Sequence, residues 1–515
     1  MKKIKEPIAV IDVGAHFARL EIAQVNADGK SYETLESLTQ VAPLGVDVFT
    51  RGKISSANTY LVGKILKDFS DVLREYGVKK LKAVATSAVR EASNSELFID
   101  RVYKISGIKL EELETPLMAR IMFLAVRDVI GNSFKFSKKN SMICAIGTGE
   151  TQVSFVQSGK LRSSEAARLG SLRLVEELQS PLNATQLKLS IRPFVESAAE
   201  GIIAQSTLDL NSGLVMGTGS SVRALLDFLP EDEKEIKKSK VKCLSRKQFD
   251  RIYEIVSELT PDEIAYKYNI SDTLAQSIEP SCAILYHFLN SAQADKLIIP
   301  IISTRDAIIK DYIRELSDDD DPFLPYLYFC VKAIGEKYSY DAAHAEKVAE
   351  MTSFIFKKTK FLHDLDKGSE KLLKIAAYLH DVGMYINTRR HHKHSGYIIR
   401  NSQIAGITAK ETNIIACIAR YHRRALPKKI HEEYGELSSN NKVVVCTLAA
   451  ILRIADALDF IDRLGIRDIK FDHKKKVMNI IVDDILDVVL ENWALRNKAD
   501  LFKDVFGYKV RISGQ

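Results

Sequence analysis

The chain has 515 residues, 46% of them hydrophobic, and sets 74 Lys and Arg against 67 Asp and Glu for a net charge of +7. Single cores stop growing near ~250 to 300 residues, so several domains are expected, and a charge this dilute favours anionic ligands only mildly. The sequence has no run approaching the ~20 apolar residues of a membrane span, no paired cysteine spacing of a zinc site or disulfide framework, and no basic module with interleaved aromatics. A reduced, cytoplasmic protein with no membrane association and no nucleic-acid partner is therefore expected; the opening MKKIKEPIAVIDVG holds too short an apolar run to read as a targeting segment.

In chain order, IAVIDVGAHFARLEIAQVNADGKSYETLESL (8–38) reads as an apolar strand, a turn at Gly14, an alternating strand, a hairpin turn at Asp28–Gly29 and a third strand. MICAIGTGETQVSFVQSGKLRSSEAARL (142–169) repeats that order, with Ser158–Gly159 as the hairpin turn. Two such copies, roughly 130 residues apart, predict duplicated α/β domains facing one another across a cleft, each loop forming one wall. Glycines leaving a strand let backbone N–H groups approach an anion, which makes Gly14, Gly147 and Gly149 candidate phosphate-binding residues. Asp12 ends the first strand and offers a carboxylate, although Asp is also a common turn former, and the second copy has Ala145 where an acid would sit. Between the loops, KAVATSAVREASNSELFIDRV (82–102) places Arg90 and Asn94 near a strand's carboxyl end, where ligands of open α/β sheets gather. GLVMGTGSSVRAL (213–225) adds a Gly-Thr-Gly turn before a helix, which plain turn chemistry explains equally well.

With IDxG, TSxxREAxN, IGxG and the Gly-Thr-Gly turn in this order, the sequence resembles the exopolyphosphatase / guanosine pentaphosphate phosphohydrolase (Ppx/GppA) family over nearly its whole length. The resemblance implies duplicated actin-like (ribonuclease H-like) α/β domains and removal of a terminal phosphate from polyphosphate or guanosine pentaphosphate, usually with magnesium, and a homodimer. It assigns phosphate contacts to Asp12, Gly14, Arg90, Asn94, Gly147 and Gly149. The departures are specific. The family's first loop continues Ser-Asn-Ser where this chain has Ala15, His16 and Phe17, and its second loop has Asp, Ser and Glu where this chain has Ala145, Glu150 and Gln152. The family's catalytic glutamate aligns with Met118, which cannot accept a proton. Thr115–Pro116 reads as helix cap and first helical residue, leaving Glu114 just outside as the one substitute base, which would need ~3 Å placement against the attacking water.

After the acidic run SDDDDP (317–322), read as a linker, the pattern is helical. His344, the His380–Asp381 pair, His422 and Asp456 all continue apolar stripes and so point inward. A lone inward histidine is commonly a hydrogen-bonded core residue, but burying this many imidazoles and carboxylates unpartnered costs several kcal/mol each, and shared metal ions resolve that. The order HAEKV, LHDVG, HHKHSGYII, YHRR, ADALD resembles the HD phosphohydrolase superfamily. That resemblance implies one metal on His344, His380, Asp381 and Asp456 and a second served by His394 and His422, with His380 and Asp381 catalytic and Mn, Mg, Fe or Zn as the ion. His363–Asp364 lies in a polar stretch and is read as a loop. Arg389, Arg390, Lys393, Arg423, Arg424, Lys428 and Lys429 surround these motifs and suit a phosphorylated substrate, or equally a solvated basic face.

The expected architecture is therefore actin-like domain I at 1–125, actin-like domain II at 126–316, an all-α HD domain at 322–463 and a small α/β tail at 464–515. The expected function is a phosphohydrolase of phosphoanhydrides or phosphorylated nucleotides, with a cleft stripped of family catalytic groups and a complete metal-dependent HD site. The alternatives are a non-catalytic sensor of polyphosphate or guanosine tetra- or pentaphosphate, and an exopolyphosphatase with a relocated carboxylate.

Overall fold

The computed structural model describes residues 6–178, 184–206, 208–211, 213–230, 239–317, 320–423, 426–459, 466–482, 495 and 498–514. The chain forms two compact units, Met1–Tyr326 and Leu327–Gln515.

The first unit is two lobes built on one plan. Strand β1 (Ile8–Val13) is buried along its whole length, as a strand covered on both faces must be. It pairs antiparallel with β2 (Phe17–Val25), which pairs with β3 (Tyr32–Val41), while β4 (Lys80–Ala85) and β5 (Glu111–Glu112) extend the sheet in parallel as β3-β2-β1-β4-β5. The second lobe repeats the plan with β6 (Ser141–Ile146), β7 (Thr151–Gln157), β8 (Lys160–Ala167) and a parallel β9 (Leu214–Thr218). It then adds β10 (Val241–Ser245) and β11 (Lys296–Pro300) in the order β10-β11-β9-β6-β7-β8. The repeat extends to single bonds. Gly14 N–H donates to Phe17 O at 2.8 Å, and Gly147 N–H donates to Glu150 O at 2.9 Å, closing the same turn in both copies.

The helix Thr115–Ile130 carries the chain from one lobe to the other, so a division at 125/126 falls inside a continuous helix. The helix Thr304–Ser317 packs against β1 and against Thr115–Ile130, and Arg120 donates to Asp311 at 2.7 Å to hold it there. At the end of the acidic run, Asp321 is held by Arg120 at 3.0 Å; residues 318–319 lie outside the described residues.

The second unit holds the helices Ala342–Lys358, Lys367–Leu379, His391–Arg400, Ala409–Arg420 and Ser439–Asp459. A three-stranded sheet joins them: β12 (Ile466–Asp472) pairs antiparallel with β13 (Val477–Val482), and β14 (Lys509–Gly514) runs parallel to β13. Thr408 and Glu411 form a capping box at Ala409, satisfying the first free N–H groups of that helix. Among the described residues, no helix is long and apolar enough to cross a membrane.

Candidate functional site

The second unit brings together a cluster of histidines and aspartates. His344 lies in the first turn of Ala342–Lys358, where Asp341 caps its N–H at 3.0 Å. His380 and Asp381 follow Lys367–Leu379, His391 opens His391–Arg400, His422 lies just beyond Ala409–Arg420, and Asp456 sits near the end of Ser439–Asp459. Their donor atoms form three overlapping groups, His344/His380/Asp381, His380/His422/Asp456 and Asp381/His391/His422, each within 4.8 Å.

The geometry divides the cluster around Asp381. Its Oδ2 lies 3.8 Å from His344 Nε2 and 3.7 Å from His380 Nε2, while Asp456 Oδ1 is 3.8 Å from each of the same two nitrogens. Its Oδ1 faces the other way, 3.2 Å from His391 Nε2 and 3.5 Å from His422 Nε2, and is buried without a hydrogen-bond partner. The two oxygens of one carboxylate thus serve two sets of imidazoles.

Three of those imidazoles are oriented by the backbone. His380 Nδ1 lies 2.7 Å from Ala377 O, His391 Nδ1 2.9 Å from Thr388 O and His422 Nδ1 2.6 Å from Ala419 O. A carbonyl only accepts, so each Nδ1 carries the proton and each Nε2 turns a lone pair inward, the tautomer a metal ligand needs. The inward nitrogens then meet head to head, His344 with His380 at 3.1 Å and His391 with His422 at 3.4 Å, and each contact requires a proton or a cation between them. Without a cation a proton takes that part. Burial works against charge on His380, but Asp381 and Asp456 outweigh it and push the imidazole up to about 9. Burial and then the His380 charge push His422 down to about 3. Burial would raise Asp456, yet His380 and then Lys498 hold it well below the usual carboxylate range. Nitrogen and oxygen donors with an unsatisfied buried carboxylate oxygen fit a divalent transition metal or magnesium.

His394, expected as a ligand, stands outside all three donor groups, and His391 takes the place beside His422. The assignment of His394 rests on the superfamily resemblance alone; on the helix His391–Arg400, His391 is buried with Nε2 3.2 Å from Asp381 Oδ1, whereas His394, three residues on, is half-buried. A second group missed from sequence is Lys498, whose Nζ lies 2.5 Å from Asp456 Oδ2 and leaves Oδ1 to face the histidines. His363 stays local, with Nδ1 accepting from Leu365 N–H at 3.0 Å and Nε2 3.2 Å from Phe356 O. Arg389, Arg390, Lys393, Arg423, Lys428 and Lys429 are exposed, and Arg424 lies outside the described residues.

The cleft of the first unit is a cavity of about 420 Å³ lined by residues of both lobes, among them Asp12, Gly14, Gly147, Gly149 and Met118. The lobes meet closely. A Cβ on Gly149 would fall 2.3 Å from Ser87 Oγ and 2.9 Å from Phe49 Cζ, so a larger residue there has to displace side chains of the facing lobe. Asp12 is buried with Oδ1 unpartnered; burial pushes its carboxyl up against the nearby Arg19, 3.6 Å away.

Three expected cleft residues are not on its wall. Arg90 donates to Glu150 at 2.5 Å and to Leu113 O at 2.9 Å, so its guanidinium is held by a carboxylate of the opposite lobe. Asn94 spends both ends of its amide on the backbone of Ile54, accepting from its N–H and donating to its O at 2.9 Å each, which makes it a structural brace and no phosphate contact. Glu114 is itself the helix cap, one residue earlier than expected, and is absent from the lining that includes Met118. Further pairs join the lobes: Arg173 reaches Glu91 at 2.9 Å and 3.0 Å, and His16 meets Glu176 at 2.7 Å.

Two copies of one strand-turn-strand plan, each giving a glycine loop to a shared cavity, define an actin-like cleft protein, here with a helical C-terminal region. The pattern of the Ppx/GppA phosphatase family spans residues 22–314, and that of Ppx/GppA phosphatase, domain III, spans 329–498. The chain belongs to the Ppx/GppA phosphatase family. It is 21% identical to a guanosine-5'-triphosphate,3'-diphosphate pyrophosphatase of Pseudoalteromonas translucida, over 96% of this chain and 94% of that protein. Among solved structures, an exopolyphosphatase of Cytophaga hutchinsonii aligns with a TM-score of 0.52 at 19% identity, over 60% of this chain and 98% of its own. The Aquifex aeolicus family member aligns at 0.50 and 21%, over 61% and 99%.

Proposed function

We propose that this chain is a metal-dependent phosphohydrolase acting on phosphoanhydrides or phosphorylated nucleotides, of the polyphosphate or guanosine pentaphosphate class, and that its hydrolytic centre is the histidine–aspartate cluster of the second unit. The observation that carries this reading is the convergence of His344, His380, Asp381, His391, His422 and Asp456, with Asp381 offering one oxygen to each half of the cluster. The helical unit is read as an HD phosphohydrolase-like domain on the order of these motifs. The names of the relatives, pyrophosphatase and exopolyphosphatase, support phosphoanhydride chemistry.

These donors would hold a divalent ion, whose chemistry when bound would be to polarise a phosphoryl oxygen and lower the pKa of a water. The chain's own part is to hold the donors. Ala377, Thr388 and Ala419 carbonyls fix three imidazoles, and Lys498 turns Asp456 so that one oxygen faces inward. The exposed Arg389 and Lys393 flank His391 in sequence and suit phosphate recognition. In the cleft, Met118 supplies no base and Arg90 is already occupied, so this reading assigns the cleft no turnover.

The test is a panel of nucleotides, phosphomonoesters and polyphosphate incubated with the full chain and Mn or Mg, read as released phosphate. Turnover that Asp381→Ala abolishes is expected. Turnover unaffected by Asp381→Ala places hydrolysis elsewhere and ends the proposal.

A further inference from the structure

Arg453, on the helix Ser439–Asp459, is the largest fully buried side chain among the described residues. A guanidinium is almost never buried unless it is paired. Its Nε donates to Tyr421 O at 2.7 Å, and a second nitrogen donates to Asp500 Oδ1 at 2.6 Å. Tyr421 O belongs to the planar peptide that joins Tyr421 to His422, so Arg453 fixes the backbone from which the His422 imidazole departs. Asp500 reaches the cluster only through this guanidinium.

Asp456 lies three residues beyond Arg453 and shares its face of the helix. Lys498 holds Asp456 Oδ2 at 2.5 Å. Two positions of one short segment, 498 and 500, therefore meet two positions of one helix, 456 and 453, with charges reversed between the pairs. The segment is anchored on both sides. Leu495 is buried before it and accepts from Ala499 N–H at 2.7 Å; Leu501 and Phe502 are buried after it, in the helix Asp500–Phe506 that packs against Ser439–Asp459.

We propose that Asp500 is a positioning residue of the histidine–aspartate cluster. Through Arg453 it sets the Tyr421–His422 peptide, and so the direction of His422 Nε2 toward Asp381 Oδ1 at 3.5 Å. Lys498 serves Asp456 on the side of His344 and His380, so residues 498–500 form one strap that reaches both halves of the cluster. This inference rests on the reading of the cluster as a metal centre. Loss of the Asp500 carboxylate removes the counter-charge that Arg453 faces, and the guanidinium turns to recover one, releasing Tyr421 O.

The experiment titrates Mn and, separately, Co into the full chain after EDTA treatment and desalting, reading affinity by calorimetry and the Co donor set by visible absorption. Asp500→Ala should weaken binding by ~10-fold and shift the Co band, because an imidazole that loses its orienting support meets the ion differently. Asp500→Glu should recover most of the affinity. Asp504→Ala removes the same charge from an exposed position of the same helix and should stay within ~2-fold. Melting of the metal-free chains checks that each variant is folded, and Asp500→Asn, which keeps the side-chain shape, carries the test where Asp500→Ala does not fold. A wild type that binds while the folded Asp500 variants stay within ~2-fold with an unchanged Co band overturns this inference and leaves the metal-centre reading standing. So does a loss in Asp504→Ala equal to that in Asp500→Ala. A wild type that binds neither ion overturns the metal-centre reading and this inference with it.

Discussion

The two units handle buried charge in opposite ways. Between the facing lobes of the first unit, arginines and carboxylates neutralise one another, Arg90 with Glu150 and Arg173 with Glu91, and His16 meets Glu176 at 2.7 Å. In the helical unit the same kinds of groups converge with like atoms facing like, imidazole nitrogen against imidazole nitrogen, and Lys498 touches the outer oxygen of one carboxylate. Internal pairing completes itself and gives rigidity. Convergence of lone pairs is incomplete without a proton or a cation, so the second arrangement reads as a site and the first as a clasp.

The strongest challenge to this contrast is to separate the two histidines of one helix. His391→Ala should reduce phosphate release by at least ~100-fold, whereas His394→Ala, outside every donor group, should leave it within ~3-fold. Equal losses would mean that the cluster does not set activity. The clasp is tested next by Arg173→Met, whose side chain is 5% exposed against partners at 21% and 28%. Breaking a fully buried pair costs roughly 3 to 5 kcal/mol; with partners this accessible the expected loss is about 2 kcal/mol in denaturant unfolding, without change in metal content. Lys498→Met should weaken metal binding by ~10-fold through loss of the group that turns Asp456, and Lys498→Arg should keep most of it. The smallest effect is expected of Glu114→Gln, within ~2-fold in phosphate release, because Glu114 is absent from the cavity lining.

Much of this contrast was legible in the sequence, and the rest was hidden for physical reasons. The strand-turn-strand repeat could be read because local periodicity and Gly14 and Gly147 mark the same turn twice. His344, His380, Asp381, His422 and Asp456 could be found because each continues an apolar stripe. The choice of His394 follows the motif of the resembling superfamily, and motif matching alone does not show that His391, three residues earlier on the same helix, is the one buried beside Asp381. Asn94 resembled a ligand because its motif lies at a strand end, while its bonds to Ile54 join residues forty positions apart.

The central claim, that the helical cluster is a metal centre, is tested most directly by metal content. The full chain, purified, reconstituted with Mn or Fe and desalted, should carry one to two ions per chain by mass spectrometry of the metals, and the His380→Ala, Asp381→Ala double variant should carry none. A wild-type chain that retains no more metal than the double variant would contradict the account.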